Sequence, residues 1–368
     1  MPTYTVPYSA LAAEVSLVKV ELMRAVENVL DSGRYILGPE VAAFEREFAD
    51  YLGVDYVVGV ANGTDALTIA LRAMGVGPGD DVVVPAFTFY ASAEAIPPTG
   101  ARPVFCDVDP QTMMATPQTV HAALTPATKA VIAVHLFGNV APVREIEALG
   151  IPVLEDSAQA AGSTGPDGRP GSLGTAATFS FFPSKNLGCL GDGGAIATSR
   201  EEIAEFARML RFHGSRDQQT WELVGYNSRL DEIQAAFLRV QLPELDGWAR
   251  GRCTAAAHYE RAGLGELVAL PIPTPGASAA WHLYVIRSEH IATISQALSA
   301  AEIGNRAYYT RPIHRHPAMA PYVEGLELPM TDMLASTHLA IPMNPYLTAD
   351  QAAEVTRCVE QALTQHAA

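Results

Sequence analysis

TFSFFPSKNLGCLGDGGAIAT, residues 178–198, is the stretch on which the fold turns. Two runs of strand-forming residues, TFSFF (178–182) and GAIAT (194–198), flank a glycine-rich segment that carries a single lysine, Lys185. Toward the N-terminus similar runs recur at YVVGV (56–60), DVVVP (81–85), RPVFC (102–106), AVIAV (130–134) and IPVLE (151–155), alternating with helical patterns. Thr116 and Pro117 look like the cap and first residue of one such helix, which runs toward Leu124. Near-continuous apolar strands alternating with helices predict βαβ units and a mainly parallel sheet covered on both faces. Amphipathic stretches follow near 200–213 and 229–241, then a Pro- and Gly-rich segment, PIPTPGASAA (271–280), a strand-like run, WHLYVIR (281–287), and further helices. The pattern divides the chain into an N-terminal arm with a large α/β domain over residues 1–244 and a smaller α+β domain over 245–368.

Composition narrows the function. The 368 residues are 49% hydrophobic and 17% charged, with a formal net charge of −16. Such a surface repels nucleic acid and anionic membranes, both polyanions, but leaves room for a local cationic pocket. No apolar run approaches the roughly 18 residues of a membrane span, and the N-terminus lacks the basic-then-apolar order of a signal peptide, so a cytoplasmic location is expected. Cys106, Cys189, Cys253 and Cys358 are far apart and form no C-x-x-C pair, which predicts buried, reduced thiols. His314 and His316 could start a metal site, but no further ligand stands at suitable spacing, and no metal is expected. The G-x-x-x-x-G-K-[ST] pattern is missing, as is a G-x-G-x-x-G after the first strand.

Open α/β sheets bind ligands beyond the carboxyl ends of their strands. After YVVGV comes ANGTDAL (61–67), where Asn62 and Gly63 allow a tight turn and Thr64 opens a helix: a place for a phosphate, or an ordinary capped turn. After DVVVP comes AFTFYAS (86–92), whose Phe87, Phe89 and Tyr90 can stack on a planar ring or pack in the core. After IPVLE, Asp156 can cap the next turn or pair with a buried cationic nitrogen, with Gln159 close by. Only three lysines exist in the chain. Lys19 and Lys129 fit solvated positions, whereas Lys185 sits among Ser, Phe, Pro and glycines with no charge nearer than Arg169 and Asp192. Desolvation would lower the pKa of such an amine and make it nucleophilic, and Gly188, Gly191, Gly193 and Gly194 point to a close approach by something planar or bulky. A phosphate cradle, a stacking aromatic, an acid for a ring nitrogen and an isolated lysine are what pyridoxal 5′-phosphate requires.

With these residues in place, the chain resembles the DegT/DnrJ/EryC1/StrS family of nucleotide-sugar aminotransferases, which have the aspartate-aminotransferase fold (fold type I). The resemblance is carried by SGRYILGPEVAAFE (32–45), ANGTDAL, FTFYAS, VLEDSAQ (153–159), FFPSKNLGCLGDGGA (181–195), GYNSRLDEIQAA (225–236) and YYTRPIH (308–314). It implies a seven-stranded, mainly parallel sheet flanked by helices, and pyridoxal 5′-phosphate joined to Lys185 as a Schiff base. It further implies that Asp156 pairs with the ring nitrogen, Phe89 covers the ring and Gln159 lies near the 3′-oxygen. Gly63, Thr64 and Ser180 match phosphate ligands. Asn227 matches an asparagine that reaches the cofactor of the neighbouring subunit, hence a homodimer with shared sites. The implied reaction takes the amino group of L-glutamate, leaving 2-oxoglutarate, to a keto group of a nucleotide-linked sugar for glycan or natural-product biosynthesis.

SRLD after Asn227 resembles members that aminate C3, and the lysine segment resembles those acting on UDP-linked 2-acetamido-3-keto sugars or hexuronates; a 4-keto sugar or keto-cyclitol is the alternative. YYTRPIHRHP departs from the family pattern at Thr310, Arg315 and His316, in a loop near the sugar in relatives, and Arg229, His314 and Arg315 are the candidate substrate contacts. Sugar dehydratases of the family have His in place of the lysine, so Lys185 favours transamination. A regulatory protein that has kept the fold without the chemistry is the reading from another class. A cysteine desulfurase would need a mobile nucleophilic cysteine, which Cys189, so close to Lys185, does not resemble.

Overall fold

The runs between residues 56 and 198 pair into one seven-stranded sheet in the computed structural model, which describes residues 5–367. The strands are β1 (Tyr56–Val60), β2 (Asp81–Pro85), β3 (Arg102–Cys106), β4 (Thr128–Val134), β5 (Val153–Asp156), β6 (Ala176–Ser180) and β7 (Gly194–Thr198), in the spatial order β1-β7-β6-β5-β4-β2-β3. The pairs β3–β2, β2–β4, β4–β5 and β5–β6 are parallel, while β7 runs antiparallel to both β6 and β1. The segment 181–193 between β6 and β7 holds no helix and turns the chain back on itself, with Phe181 N–H donating to Gly193 O at 2.8 Å.

Two strands lie displaced from their apolar runs. β5 begins two residues late and ends on Asp156, which is thus the last strand residue rather than the first of the loop. β6 ends at Ser180 because Phe181 turns into the core against Phe44 and Phe48, with ring centroids 5.3 and 5.6 Å away, while Phe182 faces outward. Thr116 caps the helix Pro117–Ala123 with a reciprocal Thr119 bond, as its sequence indicates.

The sheet is covered on both faces. One face packs on the helix Gly63–Ala73 and its neighbours through Ile69, Leu71, Val83 and Ile132; the other packs on Pro39–Leu52 and Glu232–Gln241 through Phe44, Phe48, Phe179 and Leu238. A separate core surrounds the antiparallel pair β8 (Tyr284–Arg287) and β9 (His338–Ile341), packed on Leu245–Arg261, Ile291–Ala300 and Ala349–Ala367. The N-terminal arm reaches this second core. Val6 is buried in it, Gly304 N–H donates to Val6 O at 3.0 Å, and Glu14 pairs with buried Arg252 at 3.2 Å.

A buried polar knot holds the end of β5. Glu155 is fully buried and accepts from the amides of Gly171 (2.9 Å), Leu173 (2.8 Å) and Gly174 (2.8 Å), and meets His135 Nε2 at 2.9 Å. Ala141 N–H donates to His135 Nδ1, so Nε2 carries the ring proton toward Glu155. Replacing one oxygen of this carboxylate by an amide leaves a buried N–H without an acceptor, which costs about 1–3 kcal/mol and more for a charged acceptor. Glu155→Gln is expected to lower unfolding stability by about 2–4 kcal/mol in denaturant titration, with the native near-UV spectrum retained.

Candidate functional site

Lys185 occupies the return between β6 and β7, where its amide donates to Phe182 O at 2.8 Å. Gln241 Nε2 holds Gly188 O at 2.7 Å, and Asn186 Nδ2 reaches Ala280 O at 3.1 Å, so the segment is pinned on both sides of the lysine. The side chain is partly buried and lines a cavity of about 1070 Å³; Lys19 and Lys129 are exposed. Among the described residues no acceptor lies within hydrogen-bonding distance of Nζ. Burial pushes its pKa down to about 8, against the opposing attraction of the Asp156 carboxylate.

Two of the glycines around Lys185, Gly188 and Gly194, make room for the protein's own backbone. A Cβ at Gly188 would stand 2.7 Å from Pro183 O, and one at Gly194 would strike the carbonyl of Asn62. They admit the protein's own backbone, and Gly194 seats β7 against the turn that opens the helix Gly63–Ala73. That helix is capped by Asn62, whose Oδ1 accepts from Asp65 N–H at 2.8 Å, and not by Thr64, which lies inside the first turn. The amides of Gly63 and Thr64 have no acceptor among the described residues, and both residues line the cavity with Ser180. A Cβ on Gly63 would be 2.7 Å from that of Ser180, so the cradle needs glycine there.

Asp156, almost fully buried, lines the same cavity at the end of β5. Ser92 Oγ donates to its Oδ2 at 2.7 Å, and the Ala158 amide lies 3.2 Å from Oδ1. Ser92 was visible in the sequence only as part of FTFYAS; its signal is helical spacing from Thr88, whose hydroxyl it meets at 3.2 Å. Of the three neighbouring aromatics, Phe87 is core, whereas Phe89 is 55% exposed on the cavity wall, 6.0 Å from the ring of Tyr309. Gln159 ties these walls together. Its Oε1 accepts from Phe137 N–H at 2.7 Å and its Nε2 donates to Tyr309 Oη at 3.0 Å. Tyr309 and His282 were not singled out by the sequence. Burial raises the tyrosine's pKa, and burial together with the Lys185 and Arg252 charges keeps His282 neutral.

The remaining candidates fall elsewhere. Asn227 and Arg229 border a second depression with Ile36, Asp231 and Gln234, and Arg229 lies over the Phe212 ring at 5.8 Å. His314 points inward, buried, with Nε2 3.5 Å from Asp332 Oδ1, and burial lowers its pKa. Arg315 is bound to the same carboxylate at 3.2 and 2.6 Å. Residues 313–315 form a 3₁₀ turn, in which successive side chains diverge by about 120°. Neither His314 nor Arg315 lines the cavity; Arg306, Thr310, Arg311 and His316 do.

Cys189 is buried, its thiol within 3.0 Å of Phe181 O and pushed up to about 12, which removes it as a nucleophile. All four cysteines are free. Among the described residues no group of three or more His, Cys, Asp or Glu side chains could hold a metal ion, and no helix is long and apolar enough to cross a membrane.

Unpartnered amides at a helix N-terminus, a buried carboxylate across the cavity, an aromatic wall and a desolvated lysine fit pyridoxal 5′-phosphate. A lysine with its pKa lowered to about 8 is neutral at a pH where a solvated lysine is still charged. For enzyme stripped of cofactor, the rate of pyridoxal 5′-phosphate attachment should rise about tenfold per pH unit up to about pH 8 and level off above it, followed by stopped-flow absorbance.

The sequence model of the DegT/DnrJ/EryC1/StrS aminotransferase family matches residues 17–360. The chain is 43% identical to a pleiotropic regulatory protein of Geobacillus stearothermophilus, over 94% of this chain and 95% of the relative. It is 42% identical to dTDP-3-amino-3,4,6-trideoxy-alpha-D-glucose transaminase of Streptomyces venezuelae, over 98% and 96%. Identity to UDP-2-acetamido-2-deoxy-3-oxo-D-glucuronate aminotransferase of Pseudomonas aeruginosa is 40%, over 90% and 92%. The crystal structure of S. venezuelae DesV superposes with a TM-score of 0.93 at 42% identity, covering 98% of this chain and 99% of that one.

Proposed function

The chain belongs to the DegT/DnrJ/EryC1/StrS family of pyridoxal 5′-phosphate-dependent aminotransferases, and from that membership we propose that it moves the amino group of L-glutamate to C3 of a nucleotide-linked keto sugar. The Pseudomonas relative's name favours a UDP-linked 2-acetamido-3-keto hexuronate, and the Streptomyces relative's name a dTDP-linked 3-amino sugar; both are C3 chemistries. The observation that carries the proposal is that Lys185, free of any acceptor among the described residues, and Asp156 share one cavity with the unpartnered amides of Gly63 and Thr64.

When bound, pyridoxal 5′-phosphate supplies an electron sink for Cα–H cleavage and carries the amino group between two half-reactions. Gly63, Thr64 and Ser180 would hold its phosphate at the helix N-terminus. Asp156, oriented by Ser92, would favour a proton on the ring nitrogen, because a buried carboxylate favours a cationic partner. Phe89 would flank the ring, and Gln159, braced by Phe137 and Tyr309, would stand on the side of the ring hydroxyl. Lys185 would hold the cofactor through its amine, and its Nζ, once released by the incoming donor, would serve as the proton acceptor and donor for the transfer.

A homodimer is part of this proposal. The helix Lys19–Ser32 turns Val20 (68% exposed) and Met23 (61%) outward beside Leu17 and Leu30, an apolar stripe that a second copy would cover. Asn227, outside its own chain's Lys185 cavity, is then free to serve the partner's phosphate. Val20→Asp combined with Met23→Asp should shift the protein to monomer in analytical ultracentrifugation and weaken cofactor retention by about tenfold or more.

Purified protein should bleach at the Schiff-base absorbance on addition of L-glutamate, and nuclear magnetic resonance of the amino sugar formed should place nitrogen on C3. Lys185→Ala should lower turnover by at least roughly a thousandfold with the fold intact. Nitrogen on C4 would favour the 4-keto alternative. Cofactor bound without bleaching would favour a regulatory role such as the Geobacillus relative's name describes.

A further inference from the structure

Arg229, His314 and Arg315 do not line the Lys185 cavity of their own chain, whereas other arginines do. Arg306 and Arg311 both line the cavity that holds Lys185, and both are exposed to it or to solvent. Neither has a carboxylate partner among the described residues. Arg315, Arg252, Arg211 and Arg239 are by contrast each bound to Asp or Glu. In a protein of net charge −16, two uncommitted guanidinium groups at one cavity are a concentrated positive field on an otherwise repelling surface.

Both arginines have anchored backbones. Arg306 exchanges two main-chain hydrogen bonds with Ala340 of β9, at 3.0 and 2.9 Å, and its guanidinium lies over the Tyr308 ring at 5.0 Å. Stacking on an aromatic face removes conformational freedom without using any of the N–H donors. The carbonyl of Arg311 meets His316 Nε2 at 3.2 Å, and Pro312 restricts the backbone that follows. The acidic residues of the cavity, Asp65, Asp156 and Asp192, come from the large sheet and its loops, whereas both arginines come from the segment leading into the second core. Planar guanidinium groups match phosphate oxygens two at a time, and a diphosphate presents two adjacent anionic centres.

We propose that Arg306 and Arg311 bind the diphosphate of the nucleotide-linked sugar, anchoring the substrate from the second core while its keto carbon is presented to Lys185. This rests on the nucleotide-sugar function proposed above. The carboxylates of the amino donor are the other anions that enter the same cavity. A diphosphate spans two guanidinium groups with more charge than either carboxylate, and the two half-reactions separate these ligands experimentally.

The test uses cofactor-loaded enzyme and binding calorimetry with UDP, dTDP and GDP as probes. Wild type should bind at least one of them, with affinity falling as salt rises. Arg306→Gln and Arg311→Gln should each weaken that binding roughly tenfold, the pair more, and Lys at either position should restore part of it. Arg357→Gln, which removes an exposed arginine of the C-terminal helix, should leave it unchanged and controls for net charge. The rate of bleaching by L-glutamate should stay within about twofold in all variants, which also reports that cofactor and fold are intact. Unchanged diphosphate affinity in the double variant would overturn the assignment, as would a glutamate rate that falls in parallel, since the arginines would then serve the donor carboxylates. If wild type binds none of the three diphosphates, the nucleotide-sugar function itself fails and takes this assignment with it.

Discussion

The short return between β6 and β7 is the constraint on which the site depends. Residues 181–193 hold no helix and turn the chain back, so that β7 runs antiparallel beside β6. That reversal puts Lys185 at the carboxyl end of β6, next to the end of β5 that carries Asp156, and it brings Gly194 against the Asn62 turn at the end of β1. One local reversal of the chain thus gathers a lysine, a carboxylate and a helix N-terminus at one end of the sheet.

Around this arrangement the protein spends buried polar groups to hold geometry. Glu155, one residue before Asp156, gathers three amides and His135, while Gln159, three residues after, braces Phe137 and Tyr309. Asp156 itself takes only a serine hydroxyl and one long amide contact, which leaves its charge available to the cavity. Lys185 is the complement: desolvated, without an acceptor among the described residues, and eased toward the neutral amine by burial. The division is physically sensible, because a group that must exchange partners during a reaction cannot be committed to structure.

Much of this was legible in the sequence, for reasons that can be named. Five of the seven strand runs coincide with or fall inside the observed strands, since continuous β-branched runs bounded by turns have few other folded states. Lys185, Asp156, Phe89, Gly63, Thr64, Gln159 and Ser180 all meet in one cavity because strand ends in such sheets converge there. The structure departs from the sequence reading in direction rather than identity. Gly188 and Gly194 admit backbone, Asn62 rather than Thr64 caps the helix, and His314 and Arg315 turn toward Asp332. A residue's place in a motif carries no information about which way a loop side chain points.

The sequence by itself therefore determined the α/β architecture, the strand ends that meet at the cavity and the lysine that stands there, because periodicity and residue type are local properties. Only the tertiary structure decided which cations face the cavity, that Tyr309 and His282 share it, that Ser92 orients Asp156 from behind, and that the N-terminal arm packs on the second core. Those facts depend on contacts between residues far apart in the chain and on loop torsions, and neither is encoded in any one stretch of residues.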